Sequence, residues 1–187
     1  MVMLSFVLTA EAQLKVGDKA PAFKLTNTDY QKVALSDYNE QEGVILIFTC
    51  NHCPYAKFYE VRIDQLNKDF APQKFPVVAI NPNDSASFKT DGFSYMVKKA
   101  YDYPYLLDND GIYKAYGATK TPHVFLLNNT DNGFKVAYIG AIDDSPQDAS
   151  QVKVKYLENA ITAIQSDKEV NPTITKAVGC SIKPFSN

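Results

Sequence analysis

Apolar and polar positions divide this chain into short runs of two different periods. Val44-Ile45-Leu46-Ile47-Phe48 is an unbroken apolar run that reads as a buried strand of a parallel or mixed sheet. From Pro54, whose missing N–H costs nothing at the first position of a helix, Tyr55, Phe58, Tyr59, Ile63, Leu66 and Phe70 recur at helical spacing. This predicts a helix running to about Asp69. A second strand-like run covers Phe75 to Asn81 and ends in the turn Asn81-Pro82-Asn83-Asp84. Strand, helix and strand in that order make a βαβ unit.

Upstream, Phe23 to Leu25 and Lys32 to Leu35 read as short strands around the polar turn Asn27-Thr28-Asp29, and Ser36 as the N-cap of a helical turn. Downstream, Ser87 to Asp102 has a helical pattern around Phe93, Met96, Val97 and Ala100, weakened at its start by Gly92. Tyr105 to Leu107 is a short strand, and Ile112, Tyr113 and Tyr116 mark a helical turn stopped by Gly117. Val124 to Leu127 and Phe134 to Ile139 form a hairpin. A last helix over Gln151 to Gln165 puts Val154, Leu157, Ala160, Ile161 and Ile164 on one face. Beyond Pro172 the pattern is irregular. The order is an N-terminal hairpin, β-α-β, an inserted helical stretch and β-β-α, an α/β class with helices on both faces of one sheet.

A length of 187 residues suffices for a single core without disulfide staples, and no repeat or low-complexity linker marks an internal boundary. Residues 13–187 therefore read as one domain with an irregular C-terminal tail. A net charge of −2 gives no electrostatic case for nucleic acid or a bilayer surface. No apolar run is long enough for a transmembrane segment. In residues 1–12, an apolar run from Leu4 precedes Ala10-Glu11-Ala12, which has the form of a signal-peptidase site, although no Lys or Arg precedes the run. This reads as a partial signal peptide and a periplasmic or secreted protein. If the leader is a tag or a misassigned start, the protein is cytoplasmic.

The chemistry concentrates where the first strand meets the first helix, at Cys50-Asn51-His52-Cys53-Pro54. Unpaired N–H groups at a helix start favour a thiolate over a thiol. A thiolate at Cys50 is placed to attack a disulfide, and Cys53 to resolve the mixed disulfide that results. Three cysteines leave one over if two pair, and Cys180 reads either as a third redox thiol or as a small buried side chain under the tail, the commoner role of a free cysteine.

Together these residues resemble the thioredoxin-fold redoxins, the group that includes thioredoxins, thiol-disulfide oxidoreductases and the alkyl hydroperoxide reductase/thiol-specific antioxidant proteins. The resemblance covers roughly residues 16–183. It rests on Val16-Gly17-Asp18-Lys19-Ala20-Pro21-Ala22-Phe23 with Leu35-Ser36-Asp37-Tyr38, on Cys50-Asn51-His52-Cys53-Pro54, on Thr121-Pro122 before the strand from Val124, and on Gly140-Ala141-Ile142-Asp143-Asp144 with Gly179-Cys180-Ser181-Ile182-Lys183. It implies a thioredoxin-like three-layer α/β/α fold with an N-terminal β-hairpin extension and an inserted helical segment. It further implies a cis peptide bond at Pro122 beside the cysteines, which would leave the Thr121 backbone open to pair with a substrate peptide.

Within that frame Cys50 and Cys53 are the expected catalytic pair. His52 is expected to stabilise the thiolate, giving a potential above the roughly −270 mV of thioredoxin and nearer the class at about −180 mV, with a solvated loop residue as the alternative. Lys57 is the residue on the first turns of the helix best placed to influence thiolate charge, against a plain solvated face. His123 is expected in the substrate groove or in packing. No nucleotide or flavin motif is present, so the expected redox group is the disulfide itself. Electrons would come from protein or small-molecule thiols, with a reducing or oxidising partner protein.

Three functions compete. The first is a thiol-disulfide oxidoreductase. The second is an antioxidant thiol peroxidase, in which a Thr stands at the first cysteine position, the peroxidatic Cys at the second, and an Arg lies nearby; here the first position is Cys50, and the only arginine, Arg62, lies nine residues past Cys53. The third is a Cu(I) or Zn metallochaperone using Cys50, Cys53 and His123, with Cys180 as a further donor, although no ligand set of clear spacing is present.

Overall fold

The protein is described here by a computed structural model covering residues 14–185. The leader assigned to residues 1–12 lies outside the described residues. In chain order the elements are β1 (Lys24–Asn27), β2 (Lys32–Ala34), β3 (Gly43–Phe48), α1 (Pro54–Phe70), β4 (Val77–Asn81), α2 (Phe93–Val97), β5 (Tyr105–Leu107), α3 (Ile112–Tyr116), β6 (Lys120–Thr121), β7 (His123–Thr130), β8 (Gly133–Gly140), α4 (Tyr156–Gln165) and β9 (Cys180–Ser181). Seven strands make one mixed sheet in the order β2-β1-β5-β4-β3-β7-β8, and β6 pairs separately with β9. Strands β3, β4 and β5 run parallel, while β7 and β8 return antiparallel beside β3.

Strand β3 lies in the interior of the sheet, between β4 and β7, because both of its faces are apolar. Ile45 and Ile47 face Tyr59, Ile63 and Leu66 of α1 together with Leu157 and Ile161 of α4. Val44, Leu46 and Phe48 face Tyr116 of α3, Phe125 and the N-terminal segment around Phe23 and Leu25. All five side chains are fully buried, each contributing about 1.5–3 kcal/mol. The three-layer arrangement follows from this two-sided burial.

Helix α1 matches the sequence pattern, with Ala56, Tyr59, Ile63, Leu66 and Phe70 on its buried face, although Phe58 is half exposed. Gly117 ends α3 in the left-handed conformation that a helix C-terminus favours. Four elements differ from the sequence reading, the first being the last helix, which starts at Tyr156 rather than Gln151 and leaves Val154 outside it and exposed. Ser87 to Asp102 is not one helix but a 3-10 turn over Lys89–Asp91 followed by the short α2. Gly92 breaks the run with extended backbone, and Asp91 is drawn inward to a polar cluster. The turn after β2 is closed not by Ser36 but by Asp37, whose carboxylate accepts the Ala34 N–H at 2.8 Å. The tail is not wholly irregular, because Cys180–Ser181 form β9.

Candidate active site

The C-terminal end of β3 delivers Cys50, and the loop Asn51-His52 carries the chain to Cys53, the N-cap of α1. Thr121 closes the site from the far side, and its bond to Pro122 is cis. Cys50 Sγ lies 3.1 Å from Thr121 Oγ1 and 3.6 Å from His52 Nδ1. Cys53 Sγ lies 3.2 Å from the Thr121 carbonyl oxygen. Both sulfurs therefore rest on one residue of the β6 edge.

The covalent pairing differs from the expected one. Cys53 is bonded not to Cys50 but to Cys180, across 127 residues of sequence with a Cα–Cα distance of 6.0 Å, and Cys50 is the free thiol. Cys180 is thus not an inert residue under the tail. The open groove expected beside Pro122 is occupied as well: Thr121 pairs antiparallel with Cys180, and Lys120 with Ser181. The physical reason is local. Gly179 approaches the Thr121 carbonyl so closely that an added Cβ would collide with it, so the tail lies flat on this edge only with glycine there.

A thiolate-poised Cys50 is also corrected. Burial, leaving only 3% of Cys50 exposed, pushes its thiol up to about 11. The Thr121 hydroxyl and the backbone N–H groups of Cys53 and His52 pull the other way, while the negative charge of Asp91 adds to the rise. The helix-start N–H groups act as expected, and desolvation outweighs them.

Asp91 was invisible from sequence, since it stands far from the cysteines in a stretch patterned as a helix. It is fully buried and gathers four donors: the N–H of Asn51 at 2.7 Å, the N–H of His52 at 2.9 Å, His52 Nδ1 at 2.5 Å and Asn83 Nδ2 at 2.9 Å. Its own carbonyl accepts from Asn81 Nδ2. Four donors on two oxygens suit a carboxylate, which only accepts. The loop between the cysteines is thereby hung from Asp91. His52 is tied in at its ring as well, stacked on Phe88 with centroids 3.6 Å apart.

The remaining expected site residues fall at two distances from this centre. His123 is buried against Phe125, its Nδ1 accepts the Thr119 N–H at 3.4 Å, and burial lowers its pKa to about 4. It packs under the site. Lys57 is exposed on the first turn of α1 and takes part in none of the ion pairs among the described residues. Arg62 is a clamp: Nη1 donates to Asp143 Oδ2 at 2.6 Å and the Ser145 carbonyl at 2.9 Å, Nη2 donates to the Pro146 carbonyl at 3.0 Å, and the guanidinium lies over Tyr59. Tyr59 in turn donates to Asp143 Oδ1 at 2.8 Å.

The soft-metal set is not gathered, because Cys53 and Cys180 are bonded to each other and His123 is engaged elsewhere. Donor atoms of Cys50, His52 and Asp91 do lie within 4.8 Å of one another, but the imidazole and carboxylate are joined by their own hydrogen bond.

Comparison with known proteins agrees with this architecture. The chain is 30% identical over 132 residues to the thiol-disulfide oxidoreductase ResA of Bacillus subtilis strain 168, covering 70% of this chain and 71% of that protein. It is 26% identical over 109 residues to a Helicobacter pylori strain J99 protein that carries a peroxiredoxin name, bcp, covering 56% of this chain and 69% of the relative. Among solved structures, an uncharacterized conserved protein from Geobacillus kaustophilus superposes with a TM-score of 0.85 at 32% identity, over 94% of this chain and 95% of that one. The fold is thioredoxin-like. Residues 16–156, from the N-terminal signature through β3, the cysteine loop, the cis-proline edge and the start of α4, match the AhpC/TSA family, and the chain belongs to it.

Proposed function

We propose that this chain is a thiol-disulfide oxidoreductase in which Cys50 is the nucleophile and Cys53 the resolving thiol. The Cys50 thiolate attacks one sulfur of a substrate disulfide, the other sulfur leaves as a thiolate, and a mixed disulfide on Cys50 results. Cys53 then attacks Cys50 Sγ, which releases the second substrate thiolate and leaves Cys50–Cys53 oxidised. An external dithiol, protein or small molecule, restores the pair in the opposite sense. No group beyond the cysteines is required. The observation that carries this reading is that Cys50 and Cys53 both rest on Thr121, whose backbone edge here holds a cysteine-bearing strand. The similarity to ResA supports it. The small-residue motif in the leader supports an extracytoplasmic site of action, where disulfides persist. No helix among the described residues is long and apolar enough to cross a membrane.

The Cys53–Cys180 bond supports a second reading, a thiol peroxidase. Cys53 thiolate would take an oxygen from a peroxide and release an alcohol or water, and Cys180 would condense with the sulfenic acid to give the disulfide and water. Arg62 argues against it, since both terminal nitrogens are committed to Asp143 and to carbonyl groups. Parallel turnover of an insulin disulfide and of hydrogen peroxide decides between them. Cys50→Ser abolishes insulin reduction in the first reading. Rapid peroxide consumption that survives in Cys50→Ser establishes the second.

A further inference from the structure

The tail is held on the site by more than its disulfide. Thr121 pairs with Cys180 in an antiparallel ladder, the Ile182 N–H donates to the Thr119 carbonyl at 3.2 Å, and Ile182 packs into the core cluster of Phe48 and Phe125. On the other side the Lys183 N–H donates to Asn83 Oδ1 at 2.7 Å and the Lys183 carbonyl accepts the Asp84 N–H at 2.7 Å. Asn83 Nδ2 donates a hydrogen bond to Asp91, which carries the cysteine loop. Main-chain pairing at a strand edge with one side chain turned into the site is how an extended peptide substrate docks by strand addition. Here the docked peptide is the chain's own tail, and the side chain turned in is a disulfide-bonded cysteine.

We infer that residues 179–183 are a tethered substrate strand and that Cys180 is the third thiol of an internal relay, so that the oxidised protein exists as two disulfide isomers. This rests on the oxidoreductase reading of Cys50 and Cys53. In the closed isomer Cys53 is bonded to Cys180 and the strand covers the site. In the open isomer Cys50 is bonded to Cys53. Conversion is an exchange with no external reactant: Cys50 thiolate attacks Cys53 Sγ, the Cys50–Cys53 bond forms as the Cys53–Cys180 bond breaks, and Cys180 leaves as a thiolate that takes up the proton Cys50 gave away. No net oxidation occurs.

The arrangement gives each sulfur a distinct part. Cys50 and Cys53 are packed together with Cys180 against them, so attacking, central and leaving sulfurs are neighbours. Cys53 is fully buried and Cys180 half-buried, so the released thiol is the one nearest solvent. Burial is the largest influence keeping Cys50 protonated in the closed isomer, so the exchange starts from the small fraction of Cys50 that is thiolate. Once Cys180 is free, non-covalent contacts alone hold residues 180–183: the short ladder, the packing of Ile182 and the hydrogen bonds to Thr119, Asn83 and Asp84. An incoming disulfide or dithiol competes with these for the Thr121 edge.

The test is a quenched time course. The oxidised full chain is mixed with reduced glutathione, acidified at intervals and alkylated, and its disulfides are mapped by mass spectrometry in wild type, Cys50→Ser and Cys180→Ser. In wild type the relay predicts a Cys50–Cys53 disulfide appearing as alkylatable Cys180 appears, before full reduction. In Cys50→Ser, loss of the Cys53–Cys180 bond slows by about a hundredfold, because a positioned internal thiol is replaced by glutathione from solution. Cys180→Ser is expected to be isolated with Cys50 bonded to Cys53. The relay is overturned if wild type never shows a Cys50–Cys53 disulfide and Cys50→Ser is reduced at the wild-type rate. The wild-type arm needs no variant to fold. If isomerisation occurs but the Cys50–Cys53 disulfide of Cys180→Ser does not exchange with glutathione, the relay stands and the oxidoreductase reading falls. If that disulfide exchanges while wild type shows no isomerisation, the relay alone falls.

Discussion

Replacing Asp91 by asparagine removes a negative charge that holds the Cys50 thiol protonated while leaving the shape of the side chain. The relevant atoms of Cys50, His52 and Asp91 all lie within 4.8 Å of one another. A unit charge at that range, with an effective dielectric of about 20, acts on a thiolate by about 3 kcal/mol, roughly a hundredfold in the thiol–thiolate equilibrium. Taken from about 11, that much brings the thiol back close to its ordinary 9.0, with desolvation and the Thr121 hydrogen bond still opposing one another. The assay is the pH dependence of Cys50 alkylation by brief pulses of iodoacetamide in the oxidised protein, where the Cys53–Cys180 bond leaves Cys50 the free thiol, with peptide mapping to count any label on Cys180 separately. The position of the inflection, rather than the plateau rate, reads the ionisation and is insensitive to access. The inflection is expected near 11 in wild type and lower in Asp91→Asn. Thr121→Val, which deletes the hydroxyl 3.1 Å from the sulfur, moves it the other way. An Asp91→Asn protein that is folded by circular dichroism and titrates at or above the wild-type position refutes this account of the site. Asp91→Asn also strands two of four buried donors, so its urea midpoint drops by the equivalent of about 2–5 kcal/mol.

Three further outcomes follow from the same interactions. Native Cys50 keeps its proton up to about 11 while the unfolded chain releases it near 9.0. Wild type therefore loses about 2–3 kcal/mol relative to Cys50→Ser as pH rises through that window, measured by urea unfolding, with the buried tyrosines cancelling between the two proteins. His123 runs in the opposite sense: the unfolded chain binds a proton near 6.5 and the native one only near 4. Stability complete above that upper value falls by about 3 kcal/mol relative to His123→Gln as pH drops through the interval. Arg62→Met leaves the Asp143 carboxylate buried without its partner, and thermal or urea unfolding should register a loss of about 3–5 kcal/mol, with disulfide exchange by the folded fraction retained.

What the sequence disclosed and what it hid divide along one physical line. Apolar run length and period were sufficient for β3, α1 and the β7–β8 hairpin, because both faces of β3 and one face of α1 carry nothing but core. The adjacency of Cys50, Cys53 and Thr121 could be expected from the strand–loop–helix setting and the family resemblance. The partner of Cys53 could not. Cys180 reaches it through a two-residue strand, too short for any period to register, docked on another two-residue strand. Asp91 was hidden for a related reason. The helical spacing of Phe93, Met96 and Val97 is real, but Gly92 confines it to α2, and the residue just before the break turns inward to collect donors from two segments, the cysteine loop and the loop after β4. Arg62 illustrates a third case: its spacing from Cys53 counted against a peroxidase, and its place is in a clamp joining α1 to the Asp143 loop.

The central claim, that Cys50 is the sulfur that meets the substrate, is tested most directly with Cys53→Ser. Without Cys53, a mixed disulfide formed on Cys50 loses its resolving thiol. Incubation with oxidised glutathione followed by peptide mapping is predicted to find glutathione accumulated on Cys50. Adducts confined to Cys180, with Cys50 left as a free thiol in a folded protein, would contradict the account.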